Sequence, residues 1–333
     1  MRPVRAGASG RIPPESRLPA LLEQQRRRFA ALDAGLPEAP GPPAGDVLLV
    51  DSAGGDAAGV VTEHSWPTGS GPLLWSAAHV TELYPVLGTS GAAGLDALLE
   101  AWRSRFGPRL HDPDSAAVVT WPSHDVAATR VLLDRGLAPL AVLAVRAPSP
   151  LSPLSPPPPP PSPVPSGVQV RPAGPEDLDE CLRLALAELH YSSQVGGSIV
   201  RPEAEAVKRT TLRDRLGRGE PTWIAERDGG AVGVLECGHT DAAPGTWLGG
   251  LLPTGPWGYV NCASVAAGER GTGVGRALMA AAMPELQRPR PAPVRGTYLY
   301  YNPPNPLSSV FWPRLGYRPL WTLWETRPAS SLR

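Results

Sequence analysis

From Val168 onward, apolar and polar positions alternate between strand-like and helix-like spacing. Val168 to Arg171 reads as a short strand. Pro175-Glu-Asp-Leu178 opens a helix that runs to about Leu189, with acidic residues in its first turn. A second helix is predicted from about Glu203 to Leu216. A hairpin over 222–238, a Gly- and Pro-rich connection over 241–256 and a strand over 258–265 follow. A helix over 275–286, a strand over 296–301, a helix over 307–315 and a strand over 317–326 complete the series. The sum is an α/β fold, a mixed sheet flanked by helices.

The first half of the chain echoes the second. Ala97-Leu-Leu stands 180 positions before Ala277-Leu-Met, and Gly136-Leu-Ala-Pro-Leu stands 180 before Gly316-Tyr-Arg-Pro-Leu. Leu49 to Val61 resembles Ile224 to Leu235, each reading as two strands joined at a Gly-rich turn. A first helix spans about Ser16 to Leu32. Another, Leu95 to Phe106, keeps an apolar face through Leu95, Leu98, Leu99 and Trp102. The constant offset implies a tandem repeat of one α/β domain. Between the copies, residues 148–165 are proline-rich and predict an extended polyproline II spacer reaching on the order of 55 Å. The expected organisation is a domain over 1–147, this linker, and a domain over 166–333.

The segment richest in chemistry is Val265-Ala-Ala-Gly-Glu-Arg270-Gly-Thr-Gly-Val-Gly275-Arg276. Glycines on alternate positions at a strand-to-helix junction leave main-chain N–H groups uncovered at the positive end of a helix dipole, where a pyrophosphate is welcome. Arg270 and Arg276 add charge in a form that reads phosphate oxygens bidentately. The loop lacks the Gly-Lys-Ser/Thr of a Walker A motif. Position 276 is Arg where the dinucleotide fingerprint needs glycine. A second motif follows. Tyr300-Tyr301 ends a strand, Asn305-Pro-Leu-Ser308 opens a short helix, Phe311-Trp312 sits within it, and Gly316-Tyr317 leads to another strand.

Together, in this order and separation, the two motifs resemble those of the GNAT N-acetyltransferase superfamily, over about residues 168–327. The resemblance implies two GNAT-like domains in tandem, each a mixed, mostly antiparallel sheet flanked by helices. It implies acetyl-CoA as acyl donor and a small-molecule or peptide amine as acceptor. Val265, Ala266 and Ala267 match the main-chain segment that pairs with pantetheine. Arg270, Gly271, Thr272, Gly273, Val274, Gly275 and Arg276 match the pyrophosphate loop, and Asn305 and Ser308 match positions that touch the CoA arm. Where the family often has a tyrosine acid, this chain has Trp312, so Tyr301, Tyr300 and Tyr317 become candidates to protonate the thiolate. Glu236, at the end of a hairpin strand, is the expected base, with His239 next. The first copy departs from the motif: Ser90, Ala93, Leu95 and Asp125 stand where the second has Arg270, Gly273, Gly275 and Asn305. That copy is expected to keep the fold and lack the cofactor site.

Composition changes the picture little. Formal net charge is zero, which disfavours nucleic acid as a partner, and Arg26-Arg27-Arg28 reads as a solvated helix face. Lys208 is the only lysine, a bias of GC-rich, bacterial coding. Cys181, Cys237 and Cys262 show neither disulfide nor metal-ligand spacing. With no signal-like or membrane-spanning apolar run, a cytoplasmic protein with no metal and no membrane contact is expected, as a monomer of pseudo-dimeric form or a homodimer.

Overall fold

From their first hairpin onward the two halves run through the same succession of elements; before it, among the described residues, the N-terminal half has one α-helix and the C-terminal half a strand and two α-helices. The computed structural model describes residues 14–38, 41–148 and 165–333; the expected spacer, apart from its end residues Pro148 and Pro165, lies outside them. The N-terminal half contains α1 (Pro14–Leu32), β1 (Asp46–Ser52), β2 (Gly55–Ser65), β3 (His79–Val86), α2 (Gly91–Arg103), β4 (Ser115–Pro122), α3 (Val126–Asp134) and β5 (Ala138–Arg146). The C-terminal half contains β6 (Val168–Pro172), α4 (Leu178–Gln194), α5 (Ala204–Gly217), β7 (Thr222–Arg227), β8 (Gly230–Ala242) and β9 (Gly255–Val265). It ends with α6 (Val274–Leu286), β10 (Thr297–Tyr301), α7 (Ser308–Arg314) and β11 (Arg318–Thr326). First residue and last, β11 repeats β5 at the offset read from the sequence.

The two expected sheets are joined as one. Its eleven strands run β1-β2-β3-β4-β11-β5-β10-β9-β8-β7-β6. Each half's last strand is lodged in the other: β11 lies antiparallel between β4 and β5, and β5 lies antiparallel between β10 and β11. Among the described residues, only β3–β4 and β9–β10 are parallel, one pair in each half. Side chains on alternate faces meet different helices, as a pleated strand requires. Ala58 of β2 packs with Leu21 of α1, whereas its neighbour Ala57 joins the cluster of Leu95, Leu98 and Leu99 from α2. In the C-terminal half, α6 covers one face, packing with Leu235 and Val260; α4 and α5 cover the other, packing with Ile224 and Val234.

The sequence-derived boundaries hold to within a few residues. The largest shifts are in α4, which continues to Gln194 rather than Leu189, and in α2, which begins at Gly91 and ends at Arg103. Two polar contacts fix the C-terminal half against its neighbour. Arg201 donates to both carboxylate oxygens of Asp114, at 2.6 and 2.8 Å, and the Ile199 amide donates to the Leu74 carbonyl. The Arg201 hydrogen bonds hold the Asp114 carboxyl below its usual range, against the opposing effect of burial. A depressed carboxylate pKa strengthens this tie above the unfolded value and releases it as pH falls through the folded one.

The shared core makes each half incomplete alone. Separating them bares Leu143, Leu320, Trp321 and Trp324, all nearly inaccessible. At ~1.5–3 kcal/mol for each large apolar side chain, that is roughly 6–12 kcal/mol, the size of a domain's net stability. Chains 1–156 and 157–333, produced separately, are therefore expected to be insoluble or unfolded. Produced together they should co-elute as one species on size exclusion and show a single thermal transition.

Candidate active site

The parallel pair β9–β10 separates early. Thr297, Tyr298 and Leu299 pair with Gly258, Tyr259 and Val260, after which β9 continues to Val265 and β10 to Tyr301 without partnering each other. A bulge on β9 accompanies the parting: Glu236 faces Cys262 and Cys237 faces Val260, leaving Asn261 as the extra residue. The gap opens into a cleft of about 1700 Å³ lined from both halves. Its walls carry five cationic side chains, Arg146, Lys208, Arg270, Arg276 and Arg314, against two carboxylates, Glu188 and Glu269. That excess favours a polyanionic ligand.

The glycine loop borders this cleft. Gly271 and Gly273 have φ of 79° and 104°, values that glycine adopts without strain. Gly273 also serves as N-cap of α6 and supplies no side chain to its free donors. Among the described residues, the amides of Gly271, Gly273, Val274, Gly275 and Arg276 donate to no other main-chain group. Thr272 spends its hydroxyl on the Glu269 carbonyl, and Glu269 is tied to Arg227 at 2.9 Å, which holds the loop from beneath. Gly275 is small because α7 comes close: a Cβ there would lie 3.2 Å from the Phe311 ring. Arg270 folds back over the cleft, donating to the Val265 carbonyl at 3.2 Å with its guanidinium 4.8 Å from the centre of the Tyr191 ring. Arg276 is exposed and makes no hydrogen bond or ion pair with the described residues.

Opposite the loop, Asn305 caps α7 by accepting hydrogen bonds from the Leu307 and Ser308 amides, while the Ser308 hydroxyl points to the carbonyls of Asn302 and Asn305. Both residues line the cleft, with Ala280 of α6 and Tyr301 of β10. The Tyr301 hydroxyl has no hydrogen-bond partner among the described residues, and partial burial raises its pKa. Tyr300 is also on the wall. Tyr317 is buried and accepts from Thr297, and Trp312 is packed edge-on between Phe311 and Tyr317.

Glu236 departs from its expected place. It is wholly buried and does not line the cleft. Its carboxylate accepts from Asn261 at 2.8 Å, with Lys208 at 3.5 Å and Arg215 at 3.7 Å. The strand pleat turned residue 236 into the layer beneath α5, where two cations compensate a charge that would otherwise be costly to bury. Burial alone would lower the Lys208 pKa, but Glu236 beside it keeps it above the usual lysine range. His239 is also remote: its Nε2 is bound to the Glu285 carbonyl, and burial lowers its pKa. Cys262 is a core thiol that burial and the nearby Glu236 push well up. The wall carboxylate that sequence reasoning passed over is Glu188, one turn before Ser192 on α4. Its spacing to the Ser192 hydroxyl, which donates to it at 2.7 Å, was the available signal.

The matching position in the N-terminal half is filled by the chain itself. Gln25 of α1, buried, donates from Nε2 to the Pro85 carbonyl and accepts from the Leu87 amide, both at 3.2 Å. At the repeat offset these groups correspond to the Val265 carbonyl and the Ala267 amide. Asp125 does not face a ligand either: it takes Arg28, the Trp121 indole and the Ala128 amide. Arg28 thus leaves the solvated face expected for the arginine run, whereas Arg26 and Arg27 pair with Glu23 on the helix surface.

Among the described residues no helix is long and apolar enough to cross a membrane. Solved structures with a similar fold include a GCN5-related N-acetyltransferase from Sphaerobacter thermophilus, 17% identical over 91% of this chain and 84% of that one, with a TM-score of 0.50. A tandem GNAT protein from the clavulanic acid biosynthesis pathway aligns at 18% identity over 95% and 96% of the two chains, with a TM-score of 0.44. An aminoglycoside N-acetyltransferase solved in complex with CoA aligns at 18% over 47% of this chain and 92% of its own, with a TM-score of 0.37. No curated protein matches the chain in sequence. The model of the acetyltransferase (GNAT) family matches residues 186–316, which hold the splayed strands, the glycine loop and α7. Over this stretch the chain is similar to the GNAT acetyltransferase family.

Proposed function

We propose that the protein is an N-acetyltransferase that passes the acetyl group of acetyl-CoA to an amine, with one working site in its C-terminal half. The uncommitted amides of Gly271 and of Gly273 to Arg276 carry this reading. Such amides at a helix start suit a diphosphate, and the cationic walls suit the rest of a polyanionic coenzyme. The parted edge of β9 at Val265–Ala267 offers the carbonyl and amide that an amide-bearing arm would pair with. Its counterpart in the first half already pairs with the carboxamide of Gln25. Acetyl-CoA supplies an activated thioester carbonyl when bound. The chain's own part is to hold it, orient the amine and handle protons. Tyr301 is the donor proposed for the leaving thiolate, since its hydroxyl is uncommitted and stays protonated beyond the ordinary tyrosine range. Glu236 is proposed to act through Lys208 and Asn261, which it positions. A monomer in the cytoplasm, pseudo-dimeric through its two halves, completes the proposal.

Three outcomes test it. Calorimetric titration should give one CoA per chain, because Gln25 and Asp125 occupy the first half's groove with the chain's own groups. Gly273→Leu places a branched side chain on a φ of 104° beside Pro165; CoA affinity should fall by about two orders of magnitude, about 2.8 kcal/mol, with a lower melting temperature from the backbone strain. Tyr301→Phe should lower kcat about 10²-fold, the lower end of a general acid's contribution, and leave CoA affinity unchanged. It should also abolish an alkaline limb lying above pH 10, where a tyrosine of raised pKa loses its proton. CoA binding without amine-dependent CoA release would instead mark a non-catalytic acyl-CoA-binding module.

A further inference from the structure

The two carboxylates on the cleft wall have unlike surroundings. Glu269, beneath the glycine loop, is neutralised by Arg227 at 2.9 Å. Glu188, on α4, is held only by the Ser192 hydroxyl, with no cation within 4 Å among the described residues. The groups that face it are already committed. From α5, Lys208 turns its ammonium to Glu236; from β9, Asn261 gives its amide to the same carboxylate, and Cys262 is a buried thiol. Glu236 itself lies behind the wall on β8. The remaining side comes from the N-terminal half. The turn Gly71–Leu74 packs on α5 and is tied to the segment after α4 through the Leu74 carbonyl; Trp75, 42% exposed, follows it on the wall. Residues 71–75 carry no titratable group.

We propose, on the footing of the acetyl transfer above, that Glu188 is the catalytic residue that seats the acceptor's ammonium and takes its proton. We further propose that the acceptor is a singly charged primary amine on an apolar or aromatic body. The proton passes from nitrogen to the Glu188 carboxylate. The freed lone pair forms a C–N bond at the thioester carbonyl carbon, and the C–S bond breaks with its electron pair on sulfur. Tyr301 protonates that thiolate, and the second proton of the new amide nitrogen passes through solvent to restore the Tyr301 hydroxyl, so that the net proton released is the one taken by Glu188. Burial raises the Glu188 pKa, which suits a base working near neutrality. The wall also discriminates. A polyamine brings a second ammonium and meets no second uncommitted carboxylate. An amino acid brings a carboxylate, and Lys208 on the facing helix is already spent on Glu236, while the wall arginines line the stretch proposed for coenzyme A. The apolar turn from the N-terminal half and Trp75 favour a nonpolar body.

Phenethylamine, spermidine and phenylalanine, each offered with acetyl-CoA to the full chain, test this. Phenethylamine should be acetylated with a kcat/KM at least ten times that of the other two. Glu188→Gln should lower that value at least a hundredfold and flatten its acid limb, with acetyl-CoA affinity within twofold of wild type; Glu188→Asp should restore part of the rate. Trp75→Ala should raise KM for phenethylamine and leave acetyl-CoA affinity alone. A preference for spermidine or phenylalanine, or an unchanged pH profile in Glu188→Gln, would overturn the proposal. Should no amine turn over, binding of phenethylamine to the CoA complex separates the readings. Binding lost in Glu188→Gln would keep the ammonium site and sink acetyl transfer, and binding indifferent to residue 188 would sink the site.

Discussion

The exchange of final strands at the centre of the sheet is the constraint on which the rest of the structure depends. β5 and β11 pair with each other and each pairs with the other half's penultimate strand, so neither half closes its own sheet. Apolar burial across this seam involves Leu143, Trp321 and Trp324 and is of the order of a whole domain's stability. One consequence is geometric. With β5 beside β10, the Asn302 amide reaches the Leu140 carbonyl at 2.6 Å, and the N-terminal turn at 71–75 comes to rest against α5. The cleft therefore has walls from both halves because the sheet is shared.

The same backbone plan yields two grooves with opposite fates. In each half a parallel pair parts and leaves a strand edge unpaired. Buried main-chain groups must find partners, and the first half supplies them internally through Gln25. In the second half the cap of the Val265 carbonyl is Arg270, exposed and also stacked on Tyr191. A buried carboxamide held at two points is a fixed part of the core. An exposed guanidinium over a cleft mouth is free to turn away when an anion offers a better partner. The side chains at Ser90, Ala93 and Leu95 then complete the closure of the first groove: Ser90 caps the Leu87 carbonyl at 2.6 Å, and Leu95 is wholly buried.

What the sequence disclosed follows the range of the forces involved. Strands, helices and the glycine loop depend on local period and local φ, so α6, α7 and β11 lie within a few residues of their expected places. The 180-residue offset was equally plain, since insertions between elements are absent from β3 onward. Strand exchange was not legible, because β5 and β11 have the same pattern whichever neighbour they take. Nor was the plug: Gln24-Gln25 in a polar helix carries no sign of the strand edge it will meet. Glu236 failed for a related reason. Sequence placed it on the right strand, but its exposure is decided by α5 crossing above it with Lys208 and Arg215.

Buried Glu236 and half-buried Glu188 show how a single fold separates structural from chemical charge. Glu236 accepts from Asn261 and Lys208 with Arg215 3.7 Å away, and removing the cations would strand an ion in a dry layer at a cost of several kcal/mol. Such a group has no exposed face to offer a visitor in the cleft. Glu188 sits in the same neighbourhood with one hydroxyl and a path to the cleft. Lys208, the chain's single lysine, decides between them by turning to Glu236. Were it to turn to Glu188 instead, the cleft wall would carry a neutral pair and the buried layer would lose the cation nearest its carboxylate. Asn261 fixes Glu236 at 2.8 Å with Lys208 at 3.5 Å, and with the lysine so engaged the wall carboxylate of Glu188 has no ion pair among the described residues.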